Sequence, residues 1–426
     1  MRILFVSNLF PPYARGGYEQ WCEEVAHLLA ARGHQLAVLT SRRGVSQGTA
    51  ARDGSPPEDG AGEQPLNVQR VLQAEVEGGL AETTWRLLRT APQIEAENLA
   101  ATRDLLASFQ PDAVLIWGMW NINRSVPQQI ERAAGSRVAY YFCDYWPSLP
   151  NAYVQRLQEP ARHAPLQWFK SVLSRVFLPR LEARSAPPLR LEHPICVSHA
   201  VRDILVERGV PVAHAKVIHG GTQVEEFATS PAPAPPEAPL RLLYMGRLEP
   251  IKGVHTAVQA MQQLGSRAPV TLDILGGGAA EYVAELQGAV TQGSLQERVR
   301  FIGGVPRAQV PSVLAEHDVL LFPSEWEEPF ARSVLEAMAA GLVVIGTTTG
   351  GTGEILREGE TGLTFAAGDA ERLAAQISRV VDDPALRERL REAGRRTVRR
   401  HYTLERMVDD LERELQSIAQ PAPITC

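Results

Sequence analysis

Glu328-Pro329-Phe330-Ala331-Arg332-Ser333-Val334-Leu335-Glu336 sets two carboxylates on either side of an expected helix start, just ahead of an apolar strand. Upstream, Gly246-Arg247-Leu248-Glu249-Pro250-Ile251-Lys252-Gly253 puts two cations on a glycine-bounded loop that follows another apolar strand. Arginine offers a planar fork to phosphate oxygens and lysine a point charge, so Arg247 and Lys252 together can stabilise negative charge building on a departing diphosphate. An ionised carboxylate only accepts hydrogen bonds, which suits Glu336 to ribose hydroxyls and Glu328 to a donor sugar or the loop around it. Phe330 and Ala331 fall at the helix entrance, where unpaired backbone N–H groups can meet hydroxyls or phosphate. Cations for a diphosphate and acids for hydroxyls together describe a site for a nucleotide sugar. Each half also has a plainer reading: Arg247 and Lys252 as surface cations beside a turn, and Glu336 as the closing acid of a capping box opened by Ser333.

Three further places carry candidates. Pro11-Pro12-Tyr13-Ala14-Arg15-Gly16-Gly17 follows the first strand and leads into an amphipathic helix over 18–31, and Gly16 and Gly17 permit close backbone approach to a ligand. Asp144, just past an apolar strand, is placed to orient an acceptor hydroxyl or the transferred sugar, or simply to tie down its loop. Gly276-Gly277-Gly278 also follows a strand but lacks the third spaced glycine of a dinucleotide fingerprint, with Glu281 in its place, so NAD is discounted. Cys143 reads as a small buried hydrophobe rather than an activated thiolate.

The elements that must position these residues follow from the apolar pattern. Runs at 3–6, 36–40, 113–117, 138–142 and 195–197 alternate with longer amphipathic segments, and the pattern restarts at 240–245, 272–275, 299–302, 319–322 and 343–345. Short apolar runs separated by helices predict parallel strands, hence α/β architecture with two doubly wound sheets. The expected organisation is an N-terminal Rossmann-like domain over 1–228 on the acceptor side, a Pro-rich linker over 229–239, a donor-side Rossmann-like domain over 240–400, and a C-terminal helix over 401–426 that packs back on the first domain. Thr403 is a fitting cap for that helix. Residues 42–65, rich in Gly, Ser, Pro and acids, are expected to form a mobile loop. Bulky apolar groups interleaved with arginines over 166–184 form a basic amphipathic helix candidate, suited either to core packing or to peripheral contact with an anionic membrane.

At 426 residues the chain accommodates two cores. Its formal charge of -6, with both signs interspersed, argues against nucleic acid as a partner. Cys22, Cys143, Cys196 and Cys426 are scattered without C-x-x-C spacing, which indicates neither a zinc site nor a disulfide framework and fits a reducing cytoplasm. The N-terminal apolar run is too short for a signal peptide and reads as a first buried strand, and no stretch is long enough to span a bilayer. The expected location is cytoplasmic, in solution or peripheral on the inner face of the membrane.

Taken in order, Gly16-Gly17, Val197-Ser198-His199-Ala200-Val201-Arg202, the linker, the Arg247/Lys252 loop, the Glu328/Glu336 motif with Ala337-Met338-Ala339-Ala340-Gly341, and Gly350-Gly351-Thr352-Gly353-Glu354-Ile355 resemble the retaining, GT-B-type glycosyltransferases called family 4. The resemblance implies two Rossmann-like domains facing each other across a cleft. It implies transfer of a sugar from a nucleoside-diphosphate sugar, a UDP or GDP sugar as co-substrate, to a carbohydrate or lipid-linked acceptor, with retention of configuration and without cofactor or essential metal. It assigns the diphosphate to Arg247 and Lys252, the ribose to Glu336, the donor sugar region to Glu328, phosphate contact to Gly17, and the surroundings of the base to Val305 and Arg307. The chain departs from the family at Cys143, where His is common, at Ala331, where Gly is frequent, and at Ile218-His219-Gly220-Gly221-Thr222-Gln223, where Pro-Asn-Gly-x-Asp is usual. A GT-B nucleotide-sugar epimerase and a non-catalytic nucleotide-sugar-binding protein are the alternatives, the second motivated by Cys143.

Overall fold

The computed structural model describes residues 1–13, 16–42, 66–159, 175, 188–227, 239–265 and 268–419. The expected loop over 42–65 beyond its first residue, the 166–184 segment apart from Arg175, and the Pro-rich linker up to 238 lie outside the described residues. Contacts divide the chain into two compact units: Met1–Val197 with Val201–Ile218 and the chain from Val408 on, and Ser198–Ala200 with His219–Met407.

The first unit holds a seven-stranded sheet in the order β3-β2-β1-β4-β5-β6-β7, formed by β1 (Arg2–Ser7), β2 (Gln35–Ser41), β3 (Asn67–Leu72), β4 (Ala113–Gly118), β5 (Val138–Phe142), β6 (His193–Cys196) and β7 (Lys216–Val217). Every pairing is parallel. All of β4 and β5 is buried, as expected of central parallel strands with both faces covered. Trp117 and Tyr141 meet at 4.5 Å, and Tyr141 Oη donates to the Ile218 carbonyl at 2.8 Å. The last helix, Leu404–Ala419, starts with Thr403 Oγ1 accepting from Arg406 N at 3.2 Å. Its later part joins the first unit through Asp409, 2.7 Å from Arg32, and Glu412, 2.8 Å from His34.

The second unit holds a six-stranded parallel sheet in the order β10-β9-β8-β11-β12-β13, built from β8 (Leu240–Met245), β9 (Val270–Leu275), β10 (Val299–Gly303), β11 (Val319–Phe322), β12 (Val343–Gly346) and β13 (Leu363–Thr364). Its core joins Leu242, Val258, Leu272, Leu321, Ile345 and Leu373. In both sheets the order reverses beside the first strand of the unit, between β1 and β4 and between β8 and β11. Loops leaving the carboxyl ends of strands diverge at such a reversal and open a crevice there. The sequence pattern missed β3, β7 and β13. All three are edge strands; β7 and β13 have two residues each, and β3 is mostly half-buried with alternating polar groups, so none presents a continuous apolar run.

Candidate active site

In the second unit the β8 and β11 loops flank the strand reversal, and they carry the two halves of the candidate site. The β8 loop is held against the β9 loop by Gly246 N to Leu275 O at 3.0 Å and Leu248 N to Gly277 O at 2.8 Å. Gly276, at φ +143°, lies where a Cβ would sit 1.8 Å from the Gly246 carbonyl oxygen. The glycine run therefore permits the close approach of two loops. At the far end, Gly253 caps the helix Val254–Leu264 at φ +67°, and a Cβ there would meet Pro323 O at 1.9 Å. That contact brings the two loops together behind Lys252.

Lys252 Nζ lies 2.6 Å from Glu328 Oε1, with side chains 17 % and 11 % exposed, and Ser324 Oγ donates to the same oxygen at 2.6 Å. Thr347 in turn holds the Ser324 carbonyl at 2.6 Å. Arg247 extends outward, half exposed, to Glu249 Oε1 at 2.6 Å, while its carbonyl accepts from Tyr244 Oη at 2.7 Å. The result is a fixed ammonium–carboxylate pair at the crevice and a mobile-ended guanidinium beside it.

The capping-box reading of Glu336 is overturned. Ala331, not Ser333, is the N-cap of the helix Arg332–Ala340, and it makes no side-chain cap bond. Glu336 sits one turn inside that helix, buried, with Oε1 accepting from Arg332 Nε at 2.6 Å and lying 2.7 Å from an Arg307 guanidinium nitrogen. Arg307 in turn lies over the Phe227 ring at 5.6 Å. Val305 is half-buried two residues before it. The part played by Arg332 escaped the sequence-based expectation, although its i, i+4 spacing to Glu336 is the signal for such a pair.

Phe330 and Ala331 are buried at the helix entrance. Their loop is fastened by Ser198 Oγ donating to Pro329 O and Gly351 N donating to Glu328 O, both at 2.7 Å. The His219 ring packs on Phe330 at 5.2 Å, and His219 Nε2 lies 2.7 Å from Glu354 Oε2. The other Glu354 oxygen accepts from Ala200 N at 3.0 Å. Burial opposes ionisation of Glu354, yet the bonds from His219, Ala200 N and His199 N outweigh it and hold the carboxyl below its usual range. His219 and Glu354 appear in the sequence only as parts of motifs, because nothing local to either shows that they pair.

In the first unit, Gly17 opens the helix Gly17–Ala31 after β1, and Gly16 N donates to Glu19 Oε2 at 2.9 Å. Asp144 follows β5, and its Oδ1 accepts from Trp146 N at 3.0 Å. Burial pushes the Asp144 carboxyl up to about 7, opposed by the Trp146 N–H and reinforced by Glu19. Cys143 beside it is buried, which pushes its thiol well above the ordinary range. Because the native state favours protonated Asp144, the group contributes most to stability below its ordinary value of 3.8, and that contribution is lost as pH rises from there to about 7. Asp144→Asn should therefore raise Tm by several degrees at pH 8 and change it little at pH 4. A Tm difference independent of pH, measured by calorimetry, would count against a buried acid at this position.

Residues 226–397 match the family model described as Glycosyl transferases group 1. Glycogen synthase of Mycobacterium tuberculosis (strain ATCC 25618 / H37Rv) is 28 % identical over 403 residues, which is 93 % of this chain and 89 % of the relative. Among solved structures, sucrose-phosphate synthase from Thermosynechococcus elongatus matches with a TM-score of 0.72 at 21 % identity, over 98 % of both chains. HepE from Anabaena, in complex with UDP, matches with a TM-score of 0.66 at 19 % identity, over 98 % of this chain and 100 % of its own. The fold is that of the GT-B glycosyltransferases, and the sequence matches support the group 1 glycosyltransferase family.

Proposed function

We propose that this chain, with a second unit that matches the group 1 glycosyl transferases, is a retaining transferase that moves a sugar from a nucleoside-diphosphate sugar to a hydroxyl of a carbohydrate or lipid-linked acceptor. The observation that carries the reading is the Lys252–Glu328 pair, 2.6 Å apart at the strand reversal where α/β sheets bind ligands. Lys252 and Arg247 take the diphosphate, Glu336 the ribose hydroxyls, Glu328 the donor sugar, and Val305 and Arg307 border the base. Gly16 and Gly17 supply backbone N–H groups to phosphate, and Asp144 orients the acceptor or the transferred sugar. The uridine nucleotide held by HepE makes a UDP sugar the first donor to try.

The bond from the anomeric carbon to the diphosphate oxygen breaks, and its electron pair leaves with the diphosphate. The acceptor oxygen bonds to the same face of the sugar, and its proton passes to the departing phosphate oxygen. Such a step calls for cations at the leaving group more than for a protein base, and the β8 loop carries them. Glu328 remains an acceptor towards sugar hydroxyls because its second oxygen is not the one that Lys252 and Ser324 engage.

The direct test incubates the protein with labelled UDP and GDP sugars, with and without a panel of sugar and lipid-linked acceptors. Acceptor-dependent transfer of label is the expected result. Conversion of the sugar with donor alone would establish an epimerase, and stabilisation by donor without turnover across the panel would establish a binding protein. With lysine and arginine in the place a metal would take, EDTA should leave the transfer rate unchanged within about twofold. Abolition by EDTA with recovery on adding Mg²⁺ or Mn²⁺ would overturn the metal-independent reading.

A further inference from the structure

The chain as a whole carries a formal charge of -6, yet the helix Pro384–His401 contains seven arginines against two glutamates. Two of these arginines have a structural task. Arg391 Nε donates to Gly341 O at 2.8 Å and Arg395 to Ala340 O at 2.9 Å, so they grip the last carbonyls of the helix that bears Glu336. Cations at a helix C-terminus are favourable because the unpaired carbonyls carry about half a negative charge. That accounts for Arg391 and Arg395 and leaves the rest over.

Arg396, Arg399 and Arg400 are exposed, and they have no ion pair among the described residues. With Arg395 and Glu392 they line a cavity of about 500 Å³. Burial, and then repulsion from Arg391 and Arg399, hold the Arg395 guanidinium below its ordinary value, which marks a place where positive charge is under-compensated. The termini of the helix do not explain this surplus: the partial charge of its own C-terminus is met by Arg400 and His401 alone. At spacings of three and four the forks of Arg396, Arg399 and Arg400 share one face of the helix. Several planar forks on a concave surface suit phosphate better than a single carboxylate, because phosphate carries nearly two charges and three oxygens able to accept in pairs. The one acid in the lining, Glu392, reduces the charge of the site without cancelling it.

We infer that Arg395, Arg396, Arg399 and Arg400 form a second anion site, separate from the β8–β11 crevice, that takes a ligand bearing phosphate groups. The inference does not depend on the transferase reading, and its test keeps the two apart. Inorganic pyrophosphate is titrated calorimetrically, at low and at 0.5 M salt, into the full chain carrying Arg247→Gln and Lys252→Ala, which removes the cations of the crevice. Saturable binding that weakens with salt is expected, and adding Arg396→Gln, Arg399→Gln and Arg400→Gln should weaken it at least about tenfold while leaving Tm without ligand unchanged. A parallel arm sediments the same proteins with phosphatidylglycerol–phosphatidylcholine vesicles. Arginine-dependent vesicle binding without pyrophosphate binding identifies the phosphate as that of a lipid headgroup, and the converse identifies a free phosphorylated ligand. The assignment is overturned if the two proteins bind equally, if neither probe binds, or if replacing the exposed Arg357 and Arg413 by glutamine has the same effect.

Discussion

Lys252→Ala lowers sugar transfer at saturating donor by about a hundredfold to a thousandfold, with the protein still folded. A single preorganised charge aimed at a developing anion contributes on this scale. The lysine meets the structural conditions for that role: its stem runs from a glycine-capped turn, its ammonium is largely buried, and Glu328 and Ser324 leave it one orientation. Lys252→Arg should recover only part of the rate, because a planar fork cannot occupy the same point beside Glu328 Oε1. Steady-state kinetics with circular dichroism as the control decides the matter. Transfer at the wild-type rate in the alanine variant would remove Lys252 from the site, and with it the diphosphate role of the β8 loop.

Glu336→Ala should fail in two ways at once. Turnover drops by orders of magnitude if the carboxylate holds the ribose, and stability drops as well, because Arg332 is left 8 % exposed with its charge unanswered. Removing one member of a buried ion pair costs about 3–5 kcal/mol. The two effects separate in the double variant Arg332→Leu, Glu336→Leu. Apolar groups in place of both partners should return most of the stability, read as the urea midpoint, and none of the activity. Recovery of both would mean that Glu336 serves only the packing of its helix. Loss of neither in the single alanine variant would show that Arg307 and Arg332 are satisfied elsewhere.

The interior strands were legible because a parallel strand covered on both faces must be apolar along its length, as β1, β4, β5, β8 and β11 are. Edge strands escape that rule, which is why β3, β7 and β13 were not foreseen. The motif at Glu328–Glu336 was legible as a charged pattern at a helix entrance, but Ser333 misled. A capping box depends on where the helix begins, and packing at Phe330 and Ala331 starts it at Arg332. Arg332 itself was read as a mere departure from a familiar pattern, whereas it is the nearest cation to Glu336. The pairing of His219 with Glu354 joins residues 135 positions apart, and no local signal in either segment announces it.

Composition and apolar spacing alone determined that this protein is built from two parallel α/β units and that its cations and acids occupy loops at the carboxyl ends of strands. Which loops become neighbours was decided only in three dimensions. Lys252 meets Glu328 because β8 and β11 hydrogen-bond side by side, and Glu336 meets Arg307 because the segment after β10 returns beneath Phe227. Strand order is a property of the whole sheet: it is selected by the burial of every helix and strand together, and the backbone hydrogen bonds that realise it are the same for any residue type.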